Sequence, residues 1–124
     1  MAPEATTNAK PTAQIRAEAK LAEVAAELAA LDERRAAAAA LRDAQIAAAR
    51  AQRISHQRIA DLGSVHKSNV GVREKAFAAT KADVPAYDEA QLVTAGARTK
   101  ALDEQRVGVV ERRDELIRHL HGTF

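Results

Sequence analysis

The residues of this sequence that could carry chemistry are few and scattered. The four histidines are His56, His66, His119 and His121. His119 and His121 lie two positions apart, which puts them on different sides of a helix, and only Asp61 lies near the other two histidines at a spacing useful for a metal ligand. The chain has no cysteine, so disulfides and thiolate metal sites are excluded. We therefore predict no metal and no cofactor.

Adjacent carboxylates occur four times, usually close to a lysine or arginine: Asp32-Glu33, Asp88-Glu89, Asp103-Glu104 and Asp114-Glu115. General acid–base catalysis needs such groups in a dry, concave pocket that shifts their pKa values, and a thin helical rod offers none. The sequence also lacks a nucleophile elbow, a phosphate-binding loop and a dinucleotide-binding fingerprint. We predict that the chain is not an enzyme and has no small-molecule substrate.

Positive charge is concentrated in the middle of the chain. Residues 50–75 carry six basic and two acidic side chains, whereas residues 1–49 and 76–124 each have a net charge of −1. The candidate contacts for phosphate or for an acidic protein partner are Arg50, Arg53, Arg58, Lys67, Arg73 and Lys75. The segment contains no aromatic residue, which argues against base stacking on single-stranded nucleic acid. Non-specific contact with nucleic acid therefore stays open as an alternative.

The composition points to helices with little apolar volume. Of 124 residues, 31 are alanine and only 27 are larger apolar residues. Such a chain can be strongly helical although its core is thin. The longest apolar runs are interrupted by charges, and residues 1–10 contain no secretory hydrophobic region, so we expect no membrane partner. A cytoplasmic location, or a particle assembled in the cytoplasm, is the default.

Proline and glycine divide the chain into five segments. The sequence predicts a flexible arm over residues 1–11, and a long alanine-rich helix over 12–62 that could also be two helices without a marked break. A loop and a short helix over 63–84 form a basic bend, and a second long helix covers 85–121 before a tip at 122–124.

The second long helix contains an unbroken three-four spacing typical of a heptad seam. Its large apolar members are Leu92, Leu102, Val109, Leu116 and Leu120, alternating with Ala95, Thr99, Arg106 and Arg113. The polar members weaken the seam, and each glycine within this helix, at positions 96 and 108, costs about 1 kcal/mol relative to alanine.

The first helix begins its own seam with Leu21, Val24, Leu28 and Leu31, and we assign Leu41 as its next large apolar member. That assignment connects Leu31 to Leu41 through positions 34 and 38, so the steps from Leu28 to Leu31 and from Leu31 to position 34 are both three, which predicts a stammer that locally overwinds the helix. Whether the helix is continuous through the alanines at 36–40 stays open.

Together these features predict an all-α fold: an elongated helical hairpin, or a coiled-coil-like bundle, of two long helices and a short connecting helix. A 51-residue helix is about 76 Å long, far beyond a compact domain of this size with a radius of gyration of about 14 Å. Because each seam is weak, association with other copies or with a larger protein is the expected way to stabilise it.

In composition the chain resembles the small, alanine-rich helical components of tailed-bacteriophage particles, such as connector, internal-core or minor virion proteins. Bacterial coiled-coil accessory proteins share this composition. The resemblance implies a structural protein present in many copies. Our preferred hypothesis is therefore a non-enzymatic assembly protein; the alternatives are a nucleic-acid-associated protein that contacts phosphates through residues 50–75, and a helical adaptor that docks on a larger protein.

Overall fold

The computed structural model describes residues 12–123. The predicted arm, residues 1–11, and Phe124 of the predicted tip lie outside the described residues. The fold class is confirmed as all-α, and residues 12–123 contain no strand. The elements are α1 (Thr12–Ala51), α2 (His56–Gly63), a single 3₁₀ turn (Lys67–Asn69), α3 (Val70–Ala79) and α4 (Glu89–Thr123).

The chain divides into two compact units. Among the described residues, the terminal unit comprises 12–30 and 106–123, and the central unit comprises 31–105. In the terminal unit the long helices run antiparallel, and the Arg112 guanidinium donates to the Glu27 carboxylate at 2.9 Å.

The central unit holds the tightest apolar cluster. All three helices that follow α1 contribute to it together with the end of α1, and its buried members are Ile46, Ala49, Ile59, Ala60, Val70 and Leu92. Partly buried hydrophobic residues pack around the cluster: Ile54, Leu62, Val65 and Tyr87. Short helices therefore supply the bulky side chains that the alanine-rich end of α1 lacks.

The segment 12–62 is two helices, which is the alternative that the sequence left open beside one continuous helix to Leu62. α1 ends at Ala51, and a Schellman motif closes it: the Ile54 N–H bonds to the Ala49 carbonyl at 3.1 Å, and the Arg53 N–H to the Arg50 carbonyl at 2.9 Å. The motif turns the chain without glycine or proline, which is why the composition gave no sign of it.

An apolar residue placed just after the turn explains this break. Ile54 packs against the central cluster, and the next residue, Ser55, caps α2 by accepting a hydrogen bond from the Arg58 N–H at 3.2 Å. Ile54 and Ile59 occupy the positions of a hydrophobic staple, which fixes the angle at which the chain enters α2. Burial of Ile54 therefore favours the turn over continued helix.

An apolar residue followed by a capping residue also comes after α2, and it makes the loop shorter than predicted. Val65 packs against the central cluster and donates its N–H to the Ala60 carbonyl at 3.2 Å. His66 then caps the 3₁₀ turn by accepting from the Ser68 N–H at 3.1 Å, and Val70, fully buried, begins α3. The beginning of the predicted loop and short helix over 63–84 is thus mostly helical.

α4 begins at Glu89, four residues after the predicted start at Pro85. Residues 82–88 have no regular secondary structure, and the Asp88 carboxylate accepts the Gln91 N–H at 3.2 Å, as an N-cap residue does. At its other end α4 continues through Thr123, beyond the predicted end at residue 121.

The seam of α1 continues in regular steps of four and three, so the predicted stammer is wrong. After Leu31 it passes through Arg35, Ala38, Arg42 and Gln45, and the last three of these are buried. Leu41 lies off the seam with 58% of its surface exposed, which contradicts its assignment as a packing residue within this chain. Large size pointed to Leu41, whereas the uniform helical period selects smaller and polar residues.

Candidate interaction surfaces

Most of the predicted packing residues are buried within the chain itself. Val24, Leu28 and Val109 are buried in the terminal unit, and Leu31, Leu92 and Leu102 in the central unit. Leu21, Leu116 and Leu120, all in the terminal unit, are only half-buried. Two helices alone therefore leave the terminal part of the seam incompletely covered.

Polar seam residues are paired rather than left bare. Gln45, 2% exposed, donates to the Ala86 carbonyl at 3.2 Å and to the Gln91 side chain at 3.1 Å, and it accepts the Asp88 N–H at 2.8 Å. Gln45 thus ties α1 to the start of α4. Buried Thr99 donates to the Ala95 carbonyl at 2.8 Å.

Arg35 forms a two-pronged ion pair with Asp103 across the central unit. The hydrogen bond with Asp103 raises the pKa of the Arg35 guanidinium, which is charged at any physiological pH in either case. The pair connects α1 with α4 at one fixed level. Together with Gln45 it marks the antiparallel register of the two helices in this unit.

Three of the six basic residues in segment 50–75 are neutralised by carboxylates of the central unit. Arg58 pairs with Glu89 at 2.8 Å, Arg50 with Glu74 at 3.5 Å, and Arg73 with Asp43 at 3.6 Å; the last two of these acids lie on α3 and α1. Arg50 also donates to the Ile54 carbonyl at 2.9 Å, so it braces the turn after α1. These three arginines therefore form contacts within the central unit.

The remaining three basic residues are exposed. Arg53, Lys67 and Lys75 have no ion-pair partner among residues 12–123. Six cations were predicted as candidates for phosphate contact, and ion pairs within the fold leave these three available. Because three cations release fewer counterions than six, we expect any nucleic-acid affinity to depend less steeply on salt concentration.

The histidines are not brought together into a metal site. His66 caps the 3₁₀ turn, and His119 and His121 line different grooves of the terminal unit. Within residues 12–123, no group of three histidine, aspartate or glutamate side chains could hold a metal ion.

Two open grooves lie on the terminal unit. One, of about 630 Å³, has Val24 and Leu116 at its base and charged walls; its other lining residues are Lys20, Glu23, Glu27, Arg112, Glu115 and His119. The other, of about 450 Å³, is lined by Gln14, Glu18, Leu120 and His121. The helical positions of these residues show that the two grooves lie on opposite sides of the antiparallel pair.

The central unit has an open groove of about 520 Å³ beside the end of α1. Alanine side chains, Phe77 and Val84 form its apolar walls, and Arg50 and Glu74 provide its charge. Because these two charged groups are paired with each other, the groove presents no unpaired charged group to a ligand.

Several large apolar side chains remain at the surface of residues 12–123: Ile15, Leu41, Val72, Val84, Val93, Val107 and Ile117. Single exposed apolar residues are ordinary, whereas a group that shares one side of a unit is a mark of an interface. Three of the seven, Ile15, Val107 and Ile117, belong to the terminal unit.

Comparison with known proteins identifies no relative: no family model, no curated protein and no solved structure matched the chain. None of the helices in residues 12–123 combines the length and hydropathy that a bilayer crossing requires.

Proposed function

We propose that this protein is a non-enzymatic structural protein that assembles through helix packing, with copies of itself or as part of a larger particle. A tailed-bacteriophage virion is one setting consistent with its composition. The observation that carries the proposal is the incomplete burial of the seam in the terminal unit, where Leu21, Leu116 and Leu120 stay partly exposed.

Seam leucines that stay half-exposed favour further packing. Each large apolar side chain moved from water into a packed interior contributes about 1.5–3 kcal/mol. A pair of helices covers one stripe of each partner, and additional helices cover the rest, as in four-helix bundles. Assembly would therefore recover apolar burial that the single chain forgoes.

The test is light scattering coupled to size exclusion on the purified chain, at low and high salt, with and without duplex DNA. We expect an oligomer that survives high salt, because apolar association does not weaken with ionic strength. DNA should leave its mass unchanged.

A monomer that changes mass only with DNA, and only at low salt, would contradict the assembly function and favour the phosphate-binding alternative. A monomer that is indifferent to both would contradict self-assembly. Partner capture would then decide between a larger particle and the helical adaptor.

A further inference from the structure

One side of the terminal unit is apolar and the opposite side is charged. The position of a residue relative to the seam decides which side of the antiparallel pair it lies on. In both long helices, the residues that directly follow a seam position in the sequence share one side of the pair. Glu18 of α1 and His121 of α4 meet on that side, where they line the same groove. The residues just before each seam position line the charged groove on the other side.

All three large exposed apolar residues of this unit fall on the first side, which we name the apolar side. Ile15, Val107 and Ile117 are 51%, 59% and 37% exposed. Half-buried Val110 and three exposed alanines share the same helical positions, so the full apolar set is Ile15, Ala22, Ala25, Ala29, Val107, Val110 and Ile117. The charged side has no exposed large apolar residue among residues 12–30 and 106–122.

We propose that the apolar side binds the apolar side of a second copy of this chain, forming a four-helix bundle from two terminal units. This inference rests on the proposed function, and it names the face and the partner. Three properties of the face favour a second copy: its shape, its area and its charge.

The shape is self-complementary. Starting from the level of Glu18 and His121, one further turn places Ala22 beside Ile117, and the next heptad places Ala29 beside Val110. At both of these levels a small residue on α1 lies beside a large apolar residue on α4. A two-fold axis parallel to the helices sets the alanine strip of each copy against the valine and isoleucine strip of the other, as an isologous interface requires.

The area meets the requirement of a specific dimer. The 19 described residues of α1 in this unit span about 28 Å, and two helices side by side make a face of about 500 Å². Two such faces together bury about 1,000 Å², which reaches the minimum area expected of a biological interface.

Charge does not oppose this pairing. The described residues of the terminal unit carry six basic and six acidic side chains, so two copies meet without net repulsion. Asp114 is the polar residue within the valine and isoleucine strip, and Arg113 pairs with it at 3.2 Å. A carboxylate on a face that becomes covered should weaken association.

The experiment measures the self-association constant of the full chain by sedimentation over a range of concentrations. Val107→Glu should weaken association about tenfold or more, because it places a charge where the second copy would cover an apolar group. Val93→Glu is the matched control on the same helix, since Val93 is also exposed but belongs to the central unit. Circular dichroism verifies that both variants keep their helices.

A variant with the opposite sign guards against loss of folding. Asp114→Leu should strengthen association, which an unfolded or damaged chain could not do. The absence of native cysteine also allows direct mapping: a mixture of Ala29→Cys and Val110→Cys chains should form a disulfide-linked heterodimer. A mixture of Glu23→Cys and Glu115→Cys chains, on the charged side, should not.

An oligomer that is insensitive to Val107→Glu and cross-links through the charged side would overturn this inference and leave the proposed assembly function standing. A wild-type chain that is monomeric at every concentration would overturn both this inference and self-assembly.

Discussion

Among residues 12–123, three residues other than glycine adopt left-handed backbone angles, each just after a helix ends. Arg53, Ser64 and Lys81 have φ angles of 61°, 54° and 58°. The left-handed conformation usually falls to glycine, because a Cβ atom there costs about 1 kcal/mol or more. None of the glycines among residues 12–123 has a positive φ, so glycine fills none of these left-handed positions.

Replacing Arg53 with glycine should therefore stabilise the protein. We expect a gain of about 1 kcal/mol in the free energy of unfolding, less the extra freedom that glycine gives the unfolded chain. Urea denaturation measures the change. Arg53→Ala keeps the Cβ atom and serves as the control; an equal gain in both variants would show that the arginine side chain, not the backbone, is responsible.

The single tyrosine of the chain makes one pKa shift directly measurable. The Tyr87 hydroxyl is buried without a hydrogen-bond partner among residues 12–123. Burial, reinforced by the nearby Glu89 carboxylate, raises the pKa of the Tyr87 phenol above its ordinary value. The folded state thus holds this proton more tightly than the unfolded state, and stability is lost as the pH rises above about 10.

Tyr87→Phe should remove this alkaline loss of stability and raise stability at neutral pH by about 1 kcal/mol, because it removes an unsatisfied buried hydroxyl. Ultraviolet titration of tyrosinate in the wild type should show a midpoint above that of free tyrosine. A midpoint at the ordinary value would contradict the burial of this group.

At the scale of elements, α2 and α4 approach each other backbone to backbone in the central unit. A Cβ atom built on Gly96 would lie 2.1 Å from the Gly63 carbonyl oxygen, which is impossible without moving the backbone. Gly63 in turn packs against Leu92, where its own Cβ would come within 3.1 Å of the leucine. The two glycines let backbone meet backbone, so Gly96 serves packing rather than flexibility.

Gly96→Ala should lower the free energy of unfolding by about 3 kcal/mol, because it separates α2 from α4. Gly108→Ala is the matched control in the same helix: nothing lies within 4 Å of its Cβ position, and alanine should raise stability by about 1 kcal/mol through helix propensity. Thermal unfolding distinguishes the two. Equal effects would refute the close contact.

The sequence predicted the fold class and the seam of α4 because both depend on local propensity and a regular period. The end of α1 could not be predicted in the same way, because it depends on Ile54. Packing of Ile54 against the central cluster is more favourable than continuing the helix past Ala51. The staple spacing of Ile54 with Ile59, and of Val65 with Val70, could have shown both breaks.

The candidate surfaces were harder to predict from the sequence. Leu41 was chosen for its size, although only a uniform period along α1 decides which side of the helix meets a partner. The basic segment read as six free cations because ion pairs such as Arg73 with Asp43 join residues distant in sequence. Contacts between elements of this kind cannot be read from a linear charge count.

At the scale of the whole molecule, the two units differ in how completely they bury apolar residues. The central unit has a cluster whose members include fully buried Ile46, Ile59 and Leu92. In the terminal unit the seam residues Leu116 and Leu120 stay half-exposed. Local stability follows burial, so the units should open with different free energies.

Hydrogen exchange should show this difference. At low concentration, amides of residues 17–28 and 109–120 should exchange faster than those around the central cluster. Raising the protein concentration should slow exchange in the terminal unit alone, because association binds that unit's folded form. Uniform exchange along α1 and α4 at all concentrations would contradict the assignment of assembly to the terminal unit.

The unbroken alternation of four and three along both long helices also governs how this chain can change in length. An insertion of one residue in α1 rotates every later side chain by about 100° and moves the seam away from its partner. Seven residues added to α1, matched by seven added to α4, restore every facing pair. Related sequences of different length should therefore differ by seven residues in α1 and by seven in α4, within the terminal unit. Gln45 and the Arg35–Asp103 pair keep the central unit in its present register.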